Sequence, residues 1–135
     1  MTRFDCLSRL LVLSLFLLGL AGCSRGYGKY IPSEKNARTA LEKALTAWQA
    51  GKQPNEIGST APVVGAVDSH WQSGEKLASF EIVEEVPGDG QGPKVFSVRL
   101  TTNKAATPQT VRYYIFGKDP LSVYREEDYK LLEGM

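Results

Sequence analysis

Between Ser33 and Gly51 the apolar residues fall on one line. Ala37, Ala40, Leu41, Ala44, Leu45 and Trp48 recur at spacings of three and four, which a helix of about 3.6 residues per turn gathers into one stripe. Ser33 is a good first-turn cap, Glu34 suits the positive end of the helix dipole, and Gly51 suits the stop. Glu34 and Arg38 stand four apart in the favourable order. Such a stripe must be buried against another layer. Its alanines let that layer approach closely, and Trp48 is the one bulky plug.

The chain beyond the helix supplies the layer. Residues 52–62 hold Pro54, Gly58 and Pro62 and read as an irregular connection. Val63 to Val67 suits a short strand, and Asp68-Ser69-His70-Trp71 reads as a capped turn ending at Gly74. From Lys76 to Val86, Ala78, Phe80 and Ile82 share one strand face and Ser79 and Glu81 the other. Val95 to Thr102 alternates cleanly, with Phe96, Val98 and Leu100 inward. Thr110 to Phe116 is apolar on both faces and predicts a central strand, and Leu121 to Arg125 a last one. Turn formers separate them at Pro87–Pro93, Asn103–Pro108 and Gly117–Pro120. The expected fold class is α+β: one N-terminal helix packed on an antiparallel β-meander of about four strands, a single domain over residues 33–135. This element order resembles the small cystatin-like and NTF2-like domains over about residues 33–132, without a diagnostic motif. The resemblance implies either a pocket between helix and concave sheet or a plain binding module, since such folds host both.

The start of the chain has a different character. Arg3 and Arg9 precede an apolar run from Leu10 to Ala21. That is about 12 residues, too short for a spanning helix of roughly 20 and within the range of a secretory signal core. The run closes on Leu20-Ala21-Gly22-Cys23, which resembles the lipobox of bacterial lipoproteins in all four residues and in context. The resemblance implies cleavage between Gly22 and Cys23 and acylation of the Cys23 thiol. Residues 1–22 are then a signal peptide, and residues 23–32 are the lipidated cysteine and a tether rich in glycine. Ser24 stands where that family's inner-membrane retention signal is Asp. The implied location is the cell envelope: the periplasmic face of an outer membrane where one exists, otherwise the outer face of the cytoplasmic membrane.

Composition narrows the chemistry of the exported domain. Of 16 basic and 15 acidic residues the leader holds Arg3, Arg9 and Asp5, which leaves 14 of each. A neutral chain lacks the clustered positive charge that nucleic acids require. Only two cysteines exist; Cys6 leaves with the leader and Cys23 carries lipid, so the domain has neither disulfide nor thiolate chemistry. With His70 the sole histidine, a multi-histidine metal site within one chain is excluded, and no cofactor is expected.

The remaining candidates are weak. Asp68, Ser69 and His70 are the residue types of a hydrolase triad, but consecutive residues on one turn cannot aim into a nucleophile–base–orienter line, and capping is the better reading. Gly88, Gly90 and Gly92 precede a strand rather than a helix, so they predict a hairpin loop and not a phosphate cradle. Glu84–Glu85 and Glu126–Glu127–Asp128 read as solvated charge. Trp48, Trp71, Phe80, Tyr113 and Tyr114 are needed to fill a core of this size, or else they line a pocket. The expected function is a non-catalytic, lipid-anchored interaction or structural module with an envelope protein as partner, reached by strand addition at a sheet edge. The alternative is a small-molecule-binding or enzymatic pocket of the NTF2-like kind.

Overall fold

A computed structural model of the protein describes residues 31–88, 90 and 92–134. The leader, Gly22, Cys23 and the tether as far as Tyr30 lie outside the described residues. Helix α1 spans Glu34–Gln49. The Asn36 N–H donates to Ser33 Oγ at 3.2 Å, and Gly51 at φ +82° carries the chain away at the other end. The stripe is buried as its spacing predicts: Ala37, Ala40, Leu41, Ala44, Leu45 and Trp48 are each at most 3% exposed.

A short 3-10 turn, Pro54–Glu56, leads into strand β1, Val64–Val67. Helix α2, Ser69–Gln72, is a single turn. Strands β2 (Leu77–Val86), β3 (Lys94–Thr102), β4 (Gln109–Gly117) and β5 (Leu121–Arg125) come next, and helix α3, Glu126–Glu133, closes the fold. The five strands form one sheet in the order β1-β5-β4-β3-β2, and α1 crosses it in contact with every strand. Phe96, Val98, Leu100, Val111, Tyr113, Ile115, Leu121 and Val123 meet it from the sheet, all buried, with Phe80 and Ile82 packed at the margin.

The architecture is α+β, but the sheet is mixed and has five strands where an antiparallel meander of about four is expected. The difference lies in β1. After α2 the chain crosses to the far edge, meanders back through β2, β3 and β4, and lays β5 alongside β1 in parallel register, Val64 beside Leu121 and Val67 beside Tyr124. Parallel neighbours need a long crossover, and here three antiparallel strands serve as it. The second difference is α3. Its first turn is Glu126, Glu127 and Asp128, the run read as solvated charge. Acidic side chains there complement the helix dipole. Tyr129 from α3 packs at 4.4 Å on Tyr114 and at 6.0 Å on Phe116, on the sheet face opposite α1. That cover explains why β4 is apolar on both faces.

Strand β2 forms the outer edge, and it is not regular. Leu77 pairs with Thr102 but Ser79 with Thr101, and Ile82 pairs with Val98 but Glu84 with Ser97, which leaves Ala78 and Val83 as extra residues. Ala78, expected on the core face with Phe80 and Ile82, is therefore exposed, and its carbonyl accepts from Gln49 Nε2 at 3.0 Å. Val83 is 47% exposed. The glycines at 88, 90 and 92 lie in the β2–β3 hairpin connection. Among the described residues no helix is long and apolar enough to cross a membrane.

Candidate functional site

Asp68 lies at the end of β1 and caps α2, accepting from the N–H groups of His70 at 3.0 Å and Trp71 at 3.2 Å. Its side chain then runs inward, 2% exposed, where Oδ2 accepts the Tyr113 hydroxyl at 2.5 Å and Oδ1 lies 3.6 Å from Arg125 Nη1. Arg125, 5% exposed, also donates from Nε to Glu127 Oε2 at 2.5 Å. Asp128 Oδ2 accepts the Ser69 N–H at 2.9 Å. The short helix is thus held by a buried carboxylate beneath and by α3 at its start.

Beyond α2, Gly74 at φ +95° turns the chain so that Glu75 comes back against the helix. Glu75 is 9% exposed and fully engaged. Its Oε2 lies 2.7 Å from His70 Nδ1, its Oε1 accepts the Thr102 hydroxyl at 2.6 Å, and its carbonyl accepts Trp48 Nε1 at 2.7 Å. Burial works to raise the carboxyl pKa, but the hydrogen bonds from Thr102 and His70, with the charges of His70 and Arg125, outweigh it and hold Glu75 below its ordinary 4.5. At neutral pH Glu75 is therefore ionised and can only accept. The shared proton belongs to His70 Nδ1, and Nε2 is the ring nitrogen turned to other partners.

Above this pair lies an open groove of 410 Å³ lined by Ser69, His70, Ser73, Glu75, Lys104, Ala105 and Gln109. The α2–β2 connection forms one wall; the β3–β4 turn and the start of β4 form the other. His70 keeps 43% of its side chain exposed there. The groove is a surface feature. The space between α1 and the sheet is filled by buried side chains, Trp48 and Tyr113 among them.

The triad residue types are consecutive but diverge: Asp68 points into the core, the Ser69 N–H is held by Asp128, and His70 turns to Glu75. Trp48 and Trp71 stack with centroids 5.7 Å apart and planes 15° from parallel, each donating its indole N–H to a carbonyl. Tyr113 is a core side chain that also satisfies Asp68; Phe80 is half-buried on β2. Glu85 pairs with Lys94 at 3.5 Å. Sequence reasoning missed Glu75, Thr102, Arg125 and Lys104. Gly74 was a usable signal for Glu75, since a left-handed turn after a one-turn helix folds the next residue back; Thr102 reaches it only through long-range strand pairing. Among the described residues no cluster of three or more His, Cys, Asp or Glu could hold a metal ion. Compared with known protein families, curated proteins and solved structures, the chain matches none.

Proposed function

We propose that this chain is exported as a lipoprotein, anchored through Cys23, and that its domain is a non-catalytic interaction module whose contact surface is the groove at His70. The observation that carries the reading is the contrast between a filled interior and an open groove. The helix–sheet interface holds packed side chains where a pocket domain of the NTF2-like kind would hold a ligand, while His70, Lys104, Ser69 and Gln109 gather at one rim. Strand addition at β2 is the weaker route to a partner. Its two bulges leave only Ser79–Ile82 and Glu84–Val86 as regular runs, and bulges and edge charges such as Glu81 and Glu84 are what proteins use to block edge pairing.

Photo-cross-linking in intact envelopes tests the reading. A cross-linking side chain at Gln109 faces the groove, and one at Lys118 sits at the opposite end of β4, about 30 Å of strand away. A discrete protein adduct from Gln109 and none from Lys118 is the expected result. Equal labelling from both positions, or none from Gln109, would remove the groove as the contact surface.

A further inference from the structure

Resting on the groove as contact surface, we infer that its partner presents a carboxylate, an Asp or Glu side chain of an acidic protein segment, which is received between His70 Nε2 and Lys104. The groove lining can supply donors to an anion: the Lys104 ammonium, the Ser69 hydroxyl, the Gln109 amide and, once protonated, the His70 imidazole. Among the described residues of the lining Glu75 is the one acid, and both of its oxygens are already used, by Thr102 and by His70 Nδ1. Its charge therefore faces His70 and not the opening. The same bond holds the imidazole in place and leaves Nε2 as its other ring nitrogen, so an incoming carboxylate meets a ring already oriented.

An anion at Nε2 requires a proton there, because a neutral ring with its proton on Nδ1 offers only a lone pair. A bound acidic segment thus completes a carboxylate–imidazolium–carboxylate line that ends on Glu75. Among the described residues the charged groups near this ring include Glu75 against it, Lys104 from the β3–β4 turn, Asp68 at the cap of its own helix, Arg125 of β5 acting on Glu75, and Asp128 from α3 at Ser69. The two acids other than Glu75 are engaged elsewhere: Asp68 by Tyr113, Arg125 and two N–H groups, and Asp128 by the Ser69 N–H.

The test titrates the detergent-solubilised full chain with a blocked tetra-aspartate peptide and with its tetra-asparagine counterpart, following the His70 ring resonances. The aspartate peptide is expected to bind, and the asparagine peptide is not. His70→Gln, which still donates to Glu75, is expected to weaken binding about tenfold. Lys104→Ala, on an exposed turn, is expected to weaken it as well. Unchanged urea midpoints certify that both variants are folded. Equal affinity for the two peptides, or an aspartate affinity indifferent to both substitutions, overturns the inference. An adduct at Gln109 in envelopes alongside a failed titration would overturn the acidic partner alone and leave the groove as contact surface.

Discussion

Asp68 is the residue on which most of the fold converges: it caps α2, accepts from Tyr113 of β4 and faces Arg125 of β5 while almost entirely buried. Removing one partner of a buried ion pair leaves the other charge stranded, which costs about 3–5 kcal/mol. Asp68→Ala is expected to lose that much in urea unfolding. Asp68→Asn, which keeps an acceptor for the cap, is expected to lose less. Equal losses would mean that the charge, not the cap, matters. Tyr113→Phe removes a single hydroxyl bond and is expected to cost about 1–3 kcal/mol, since it leaves one lone pair of Asp68 unmet. The pH dependence has opposite signs at the two ends. Tyr113 is raised well above 10.0 by burial, then by the charge and hydrogen bond of Asp68. Its folded form holds the proton longer than the unfolded form, so its share of stability is complete below pH 10 and drains away above it. Glu75 is lowered below 4.5, so its share is complete above that value and is lost as pH falls beneath it. Thermal unfolding of Thr102→Ala and Tyr113→Phe across pH reads the two limbs: the first should flatten the acid limb, the second the alkaline one. A variant that shifts the whole profile uniformly would contradict the assignment.

At the scale of elements, α1 was legible almost to the residue because cap, stripe and stop all agree locally. The strands were legible as strands, since alternation is a property of the strand itself, but their neighbours were not. Nothing within Val63–Val67 records that its partner lies some sixty residues on, or that the pair is parallel. The bulges at Ala78 and Val83 were hidden for a similar reason: a bulge is a mismatch between two strands and cannot be read from one. α3 was missed because its acidic first turn looks like any solvated run until Tyr129 is seen against Tyr114. Of the candidate site, the Asp68 cap was readable from residue type, while its link to Tyr113 and the Thr102–Glu75–His70 chain depend on strand register. The β4–β5 connection offers a direct test of backbone geometry. Gly117 has φ +86°, and a Cβ placed there would lie 2.7 Å from the Pro120 carbonyl oxygen. Both strain and clash oppose a side chain, so Gly117→Ala is expected to cost about 1–3 kcal/mol in urea unfolding, where Gly65→Ala, with open space around it, should cost far less. Similar midpoints for the two would show that the turn relaxes freely.

For the whole molecule, the proposed anchor and the domain are expected to be separable. On the proposed anchoring Cys23 carries the lipid and Cys6 leaves with the leader, and the core cluster of the described residues contains neither cysteine nor methionine. The core begins at α1, about ten residues after Cys23, and a tether of that length would reach about 30 Å at full extension. Each acyl methylene buried in a bilayer contributes about 0.8 kcal/mol, and about two chains suffice for stable attachment; nothing comparable is offered by the exposed Leu131 and Leu132 alone. Cys23→Ser is therefore expected to lose acyl label and signal cleavage and to change its membrane partition, while the urea midpoint of the domain stays within about 0.5 kcal/mol of the parent. Acyl labelling, the size of the processed chain and the unfolding midpoint measure these separately. Persistent labelling would sink the assignment of the lipid to Cys23, and a displaced midpoint would show that the anchor contributes to the fold. If both expectations hold, the groove at His70 is carried by a unit that folds independently and is held within reach of the membrane surface, which is where the proposed partner is to be sought.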